Sequence, residues 1–208
     1  MARRSLTQRL VLLLAPTALA AGGVLMPSSA LAAPAPPHLD GATATVAPLS
    51  DHGDRGTAPA AVNWVRAVDS SSGISFALPG KSTPKQLEAG GLHGRVHTAP
   101  TSDGFVYFLV VDVKGAGPAE LEAVVEGTRE GLAEEYGDTT FTGQKPGTRD
   151  GRPSLDAHLT NARNHLSVET TQTLTDDHVV QVVTVGSQAD EKAVTRTHEQ
   201  AVDSLRIP

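Results

Sequence analysis

The sequence predicts an α+β domain, an antiparallel β-sheet with helices packed on both faces (an α/β/α sandwich). Three observations carry that class. Short runs alternating apolar and polar residues, parted by turn residues, recur from residue 64 onward. One run, Phe105-Val106-Tyr107-Phe108-Leu109-Val110-Val111, is almost continuously apolar, as a strand covered on both faces must be. Two stretches, 118–136 and 190–205, repeat their apolar residues at three- and four-residue spacing, the period of an amphipathic helix.

Ahead of the domain, residues 1–32 read as a secretory signal peptide. Arg3, Arg4 and Arg9 make a positive start. Leu10 to Ala20 is an apolar run too short and broken to span a bilayer, and Ala30-Leu31-Ala32 offers a small-x-small cleavage site. Cleavage is expected after Ala32. Arg3-Arg4-Ser5-Leu6 partly matches a twin-arginine export signal, with Thr7 where a second apolar residue would help. Residues 33–63 are rich in Ala, Pro and Gly and hold Pro34, Pro36, Pro37, Pro48 and Pro59. So few large apolar side chains cannot offset the entropy of ordering, and a disordered spacer is expected there. A single globular domain is expected over 64–208.

Composition narrows the function. The chain has no cysteine, so disulfides cannot hold the fold and no lipid can be attached through a thioether. Residues 33–208 keep 14 basic against all 23 acidic residues, a formal charge of −9. So acidic a surface repels phosphate backbones and anionic lipid, which excludes nucleic acid as a partner. The product is expected to be secreted, monomeric and without a stable membrane anchor.

The elements follow in order. Trp64–Asp69 and Ile74–Leu78 are two short strands around the turn residues Ser70-Ser71-Ser72-Gly73. Thr83-Pro84-Lys85-Gln86 has the pattern of a capping box opening a short helix. Leu92–Thr98 and Phe105–Lys114 form a second hairpin. Pro118–Tyr136 is the clearest helix, with Pro118 at its first position, Leu121, Val124, Val125, Thr128, Leu132 and Tyr136 on one face, and Gly137 as its stop. Gly127 and Gly131 cost it about 1 kcal/mol each relative to alanine. Thr139–Gln144 is a weak strand, and 149–153 a turn. Leu155, Ala157 and Leu159 alternate with Asp156, His158 and Thr160. Leu166–Leu174 and Val179–Val185 make a hairpin around Thr175-Asp176-Asp177. Ser187 and Asp190 open a last helix whose inner face is Val194, Thr197, His198, Ala201, Val202 and Leu205.

This order resembles the Mog1/PsbP fold. The points of likeness are the hairpin ending Phe76-Ala77-Leu78-Pro79-Gly80, the long helix, the turn Gly151-Arg152-Pro153, the β-meander and the final helix ending Asp203-Ser204-Leu205. The resemblance spans about residues 64–207, and exported actinobacterial envelope proteins share it. It implies a mostly non-enzymatic family and carries no functional residue across.

Candidate chemistry is sparse. Gly80-Lys81-Ser82 ends like a phosphate loop, but Ser75 stands where that pattern needs glycine. His93 and His97 are four apart. On a strand that separates them by about 13 Å, too far to share one ion, so they are expected to be exposed strand histidines. Asp176-Asp177-His178 sits where a hairpin needs turn residues, and Asp51-His52-Gly53-Asp54 falls in the spacer. His198 is expected as a hydrogen-bonded core residue, and Trp64 and Tyr107 as core aromatics. No nucleophile-elbow pattern occurs. No catalytic, cofactor or metal residue is therefore assigned, and no cofactor is expected. The favoured function is a non-enzymatic binding module with a protein or cell-envelope partner. The alternative is a secreted hydrolase with a site assembled from scattered residues. A cleft uniting several of His158, His165, His178 and His198 with carboxylates would favour the alternative.

Overall fold

The computed structural model describes residues 63–208, apart from 90, 91 and 103. The expected signal peptide, the spacer and Asp51–Asp54 lie outside the described residues. The strands are β1 (Val65–Val68), β2 (Ser75–Leu78), β3 (Lys85–Ala89), β4 (Leu92–Pro100), β5 (Phe105–Asp112), β6 (Thr140–Arg149), β7 (Arg152–Asn161), β8 (Leu166–Leu174) and β9 (His178–Ser187). The helices are α1 (Pro118–Tyr136) and α2 (Glu191–Asp203), the latter entered through a 3-10 turn, Gln188–Asp190. β1 and β2 pair as a separate hairpin, and the other seven strands form one sheet in the order β3-β4-β5-β9-β8-β7-β6. Every pairing in both sheets is antiparallel.

The apolar strand lies near the middle of that order and divides its side chains between two cores, as the two-residue period of a strand requires. Tyr107, Leu109 and Val111 pack with Leu121, Val124, Val125 and Leu132 of α1. Val106, Phe108 and Val110 pack on the opposite face with Ile74, Phe76 and Leu78 of the β1–β2 hairpin and with Ala201, Val202 and Leu205. Val106, Phe108, Val110 and Val111 are wholly inaccessible to solvent. The expected burial of this ribbon holds, but its two covers are unlike. One is a helix. The other is shared between a hairpin, whose Phe76 stacks on Phe108 at 4.1 Å, and a helix set over β8 and β9.

Both ends of α1 are closed by hydrogen bonds. The Gly117 N–H donates to Glu120 Oε2 at 2.7 Å at the start of α1. At its end Gly137 takes φ of 81°, a left-handed conformation that glycine adopts without strain. Asn161, at the end of β7, donates to the carbonyls of Tyr136 and Gly137 at 3.1 and 3.0 Å, which ties α1 to the sheet. Beyond α2, Ser75 and Arg206 exchange backbone hydrogen bonds, and the Ala77 N–H donates to Ser204 Oγ at 2.8 Å. The C-terminal segment is thereby stitched to the hairpin.

Three expectations are corrected. The segment opening at Thr83-Pro84 is followed by strand β3 and not by a helix. Lys85–Ala89 lies in register against β4 and turns Leu87 into the core, and a free sheet edge outweighs a local capping pattern. The weak strand after α1 runs to Arg149, and its partner starts at Arg152, so the turn shrinks to Asp150-Gly151. His97 is buried, at 3 % exposure, although His93 is exposed as expected. Both lie on the face of β4 under which the hairpin packs, and only His97 falls beneath Phe76. Among the described residues no helix is long and apolar enough to cross a membrane.

Truncating the stacked ring should expose how far the ribbon's double burial supports the fold. Phe108→Ala is expected to lower unfolding free energy by about 3–5 kcal/mol in a denaturant titration, against under about 1 kcal/mol for the exposed Val68→Ala.

Candidate functional site

On the α2 side the sheet is apolar over β5 and over Val180 and Val182 of β9 but becomes polar across β8, β7 and β6. Strand alternation puts Glu169 and Thr171 of β8, Asp156 and His158 of β7, and Arg149 of β6 on that face. α2 crosses above them and contributes Thr195, His198, Glu199 and Asp203. Between helix and sheet is a cleft of about 420 Å³ lined by Arg149, Asp156, Glu169, Thr171, Thr195, His198, Glu199 and Asp203.

His198 hangs from the inner face of α2 and is buried. Its Nε2 is 2.9 Å from Thr171 Oγ1 and its Nδ1 is 3.1 Å from Thr184 Oγ1. The Thr171 hydroxyl has one proton and donates it to Asp156 Oδ1 at 2.7 Å. Thr171 must therefore accept from His198 Nε2–H, and Nδ1 must accept from the Thr184 hydroxyl. The result is a one-way chain, Thr184 to His198 to Thr171 to Asp156. Burial, helped by the nearby Arg149 charge, pushes the His198 pKa down to about 3, so the imidazole is neutral.

A second tie lies beside it. His158 Nδ1 is 3.0 Å from Glu169 Oε1, and Thr195 of α2 donates to that same oxygen at 3.0 Å. His158 Nε2 is 3.8 Å from Glu191 Oε1 at the start of α2. At the far end Arg149 Nη1 stands 4.0 Å from Asp203 Oδ1. α2 is thus held over the cleft by polar side chains along its length.

The histidines divide. His158 and His198 stand on one face around this cleft, His165 occupies a turn with φ of 52°, and His178 pairs with Asp112 at 3.4 Å. Asp176 and Asp177 are in the expected turn, beside a small pocket of about 170 Å³ that His178 also lines. Gly80-Lys81-Ser82 is loop. Tyr107 is buried, with its hydroxyl on Thr128, and burial raises its pKa. Trp64 is half-buried against the hairpin core. Among the described residues, no three histidine or carboxylate groups converge as a metal ion needs.

Asp156, Glu169, Thr171, Thr184 and Arg149 were not singled out by the sequence. One signal was there to be read. Leu166–Leu174 reads LSVETTQTL, with polar side chains at both parities, which an interior strand carries only if a polar roof covers one face.

Comparison with known proteins adds no activity. No family model matches the chain, and no curated protein matches it in sequence. Among the solved structures similar in fold are the following two. The solution structure of cyanobacterial PsbP (CyanoP) from Synechocystis sp. PCC 6803 is 10% identical, with a TM-score of 0.48 over 78% of this chain and 100% of its own. The crystal structure of PA94 from Pseudomonas aeruginosa, titled a protein of unknown function and putative regulator, is 10% identical, with a TM-score of 0.41 over 70% of this chain and 96% of its own. At these identities and scores neither likeness bears on activity or partner.

The neutral, buried His198 makes acid destabilising. The unfolded chain binds its proton below the ordinary histidine value of about 6.5, whereas the folded chain binds it only near 3. Stability is fully present above about pH 6.5 and falls by about 1.4 kcal/mol per pH unit below it, for this group alone. Denaturant titrations at stepped pH should show that His198→Gln lowers stability at neutral pH yet removes about one proton's worth of slope between pH 6 and 4.

Proposed function

We propose that this chain is an exported, non-catalytic binding module of the cell envelope or extracellular space, and that the cleft beneath α2 is the face it offers a partner. The observation that carries this reading is the state of His198. The hydrolase alternative asks for a cleft of this size with histidine and carboxylates converging, and the cleft has both. It also asks for a base able to take a proton near neutral pH. His198 has each ring nitrogen committed to a threonine hydroxyl and a pKa of about 3. It braces α2 and does not act as a base.

The lining favours recognition by charge. Arg149 is the one cationic side chain among the described lining residues, against the carboxylates of Asp156, Glu169, Glu199 and Asp203. Such a cleft attracts basic groups, borne by a protein or an envelope polymer. The leader-like residues 1–32 support export to where such a partner would be met.

Two measurements test the reading. Incubated with chromogenic ester, peptide, glycoside and phosphomonoester substrates, the purified chain should give background turnover, unchanged in His198→Gln. Turnover above background that falls in that variant or in His158→Gln, whose histidine pairs with Glu169 beside the cleft, would establish the hydrolase. Retention of the chain on an isolated envelope fraction at low salt should drop at least about fivefold in Glu199→Lys/Asp203→Lys, the loss expected for removing charge complementarity at a rim. Equal retention of both chains would move the binding face elsewhere.

A further inference from the structure

His97 is buried without compensation. Its side chain is 4% exposed, and neither ring nitrogen has a hydrogen-bond partner. Its roof is the β1–β2 hairpin. Phe76 meets the imidazole edge-on, with ring centroids 4.9 Å apart and planes at 76°. Asp69, at the start of the hairpin turn, brings Oδ1 to 4.0 Å from Nε2, too long for a hydrogen bond.

The hairpin is held over this site by a small polar clasp. Asp69 Oδ2 accepts from Ser71 Oγ, Ser72 N and Ser72 Oγ, which shapes the turn. Asp69 Oδ1 accepts from Arg95 Nε at 3.0 Å. Arg95 in turn grips Asp112 with both terminal nitrogens at 2.7 Å. The ladder therefore runs from the hairpin through β4 to β5, and ends where Asp112 meets His178 of β9. These are the charged and titratable groups around His97: Asp69 from the hairpin, Arg95 on its own strand, and Asp112 and His178 farther along the ladder. Phe76 meets the His97 ring edge-on, and Phe108 is the register partner of His97 on β5. Arg206, beside β2, turns its guanidinium to the carbonyls of Asp203 and Leu205.

We propose that the β1–β2 hairpin is an acid-released flap whose trigger is His97. A protonated imidazole in this dry site lacks a hydrogen-bonded partner, and the Asp69 carboxylate 4.0 Å away offsets only part of the cost of burying its charge, so acid favours the form in which the hairpin has lifted and His97 is in water. The proposal is independent of the cleft beneath α2.

The sign is consistent. Burial holds the His97 pKa below the ordinary value, with Arg95 adding to the effect and Asp69 opposing it. The lifted form has the ordinary value and takes up the proton first as pH falls below about 6.5. Burial by itself would raise Asp69, but the hydrogen bonds from Ser72, Arg95 and Ser71 outweigh it and hold its pKa down, so Asp69 stays charged through this window. The hairpin is joined to the sheet by side-chain packing and the Asp69–Arg95 clasp and shares no strand pairing with it, so it can lift while the seven-stranded ladder stays paired. Lifting uncovers the apolar face around Val106, Phe108 and Val110.

Trp64 reports on this motion, being the only tryptophan and packed against the hairpin core. Its emission in the full chain should shift to the red between about pH 7 and pH 5 while far-UV circular dichroism keeps its folded value. In His97→Phe the midpoint should move at least about one pH unit lower, or the change should disappear. Superimposable curves for the two chains, or emission and dichroism changing together in the wild type, would overturn the flap. Should His97→Phe not fold, amide exchange in the wild type decides. Protection of Ser75 and Ala77, corrected for intrinsic rates, should fall at least about tenfold across that range while Val182 and Val183 keep theirs. Equal loss at both places also overturns it.

Discussion

The structure depends on one constraint: β5 has no polar side chain between Phe105 and Val111 except the Tyr107 hydroxyl, so the fold at neutral pH keeps both of its faces covered. Alternation forces the two halves of its side chains to opposite sides. Every neighbouring element follows from that demand. α1 covers one side, and its inner residues are those with helical spacing. On the other side the cover is assembled from pieces distant in sequence, the hairpin from one end of the domain and α2 from the other. The Ser75–Arg206 bridge joins those two pieces directly. The two ends of the domain therefore act as one lid over the middle of the sheet.

Away from β5 the interior changes character. On the α1 side Gln181 donates to Thr128 and Thr170, and Gln172 to Thr170, in a buried polar seam between β8, β9 and the helix. Thr128 gives its own proton to the Val124 carbonyl, so it can only accept from Gln181 and Tyr107. The carboxamide oxygens of Gln172 and Gln181 have no partner, which costs about 1–3 kcal/mol each. Apolar residues of the same size would pack there without that penalty. What the seam supplies is register, because a one-residue slip of β8 against β9 would break the Gln181–Thr170 bond that crosses between the two strands.

The opposite face shows the same division at larger scale. Over β4 and β5 it is closed by aromatic packing with a short ionic ladder at its border. Over β6, β7 and β8 it is held open by polar struts, with the cleft between them. His198 and His97 are both buried imidazoles kept neutral by desolvation, but they differ in what surrounds them. His198 has two threonine partners that suit a neutral ring, and it strengthens the attachment of α2. His97 has none, and it weakens the attachment of the hairpin as soon as a proton is available. Burial alone does not decide what a histidine does, since the hydrogen-bond partners set which protonation state the fold prefers.

The sequence by itself determined the α+β class, the long helix to its terminal residues, the doubly buried strand and the turn positions, because those depend on periodicity and on residues that punctuate the chain. Its reading of His198 as a hydrogen-bonded core residue also stands, since an imidazole on the apolar side of a helix must find partners nearby. It could not place β3, whose local pattern favours a helix start until a free sheet edge competes for it. Nor could it bury His97, expose the polar face of β8 or gather Asp156, Glu169 and Arg149 beneath α2. Those outcomes rest on which residues face one another at separations from 11 positions, His158 and Glu169, to 54, Arg149 and Asp203. A strand's alternation says that two faces exist, and only tertiary packing decides what covers each.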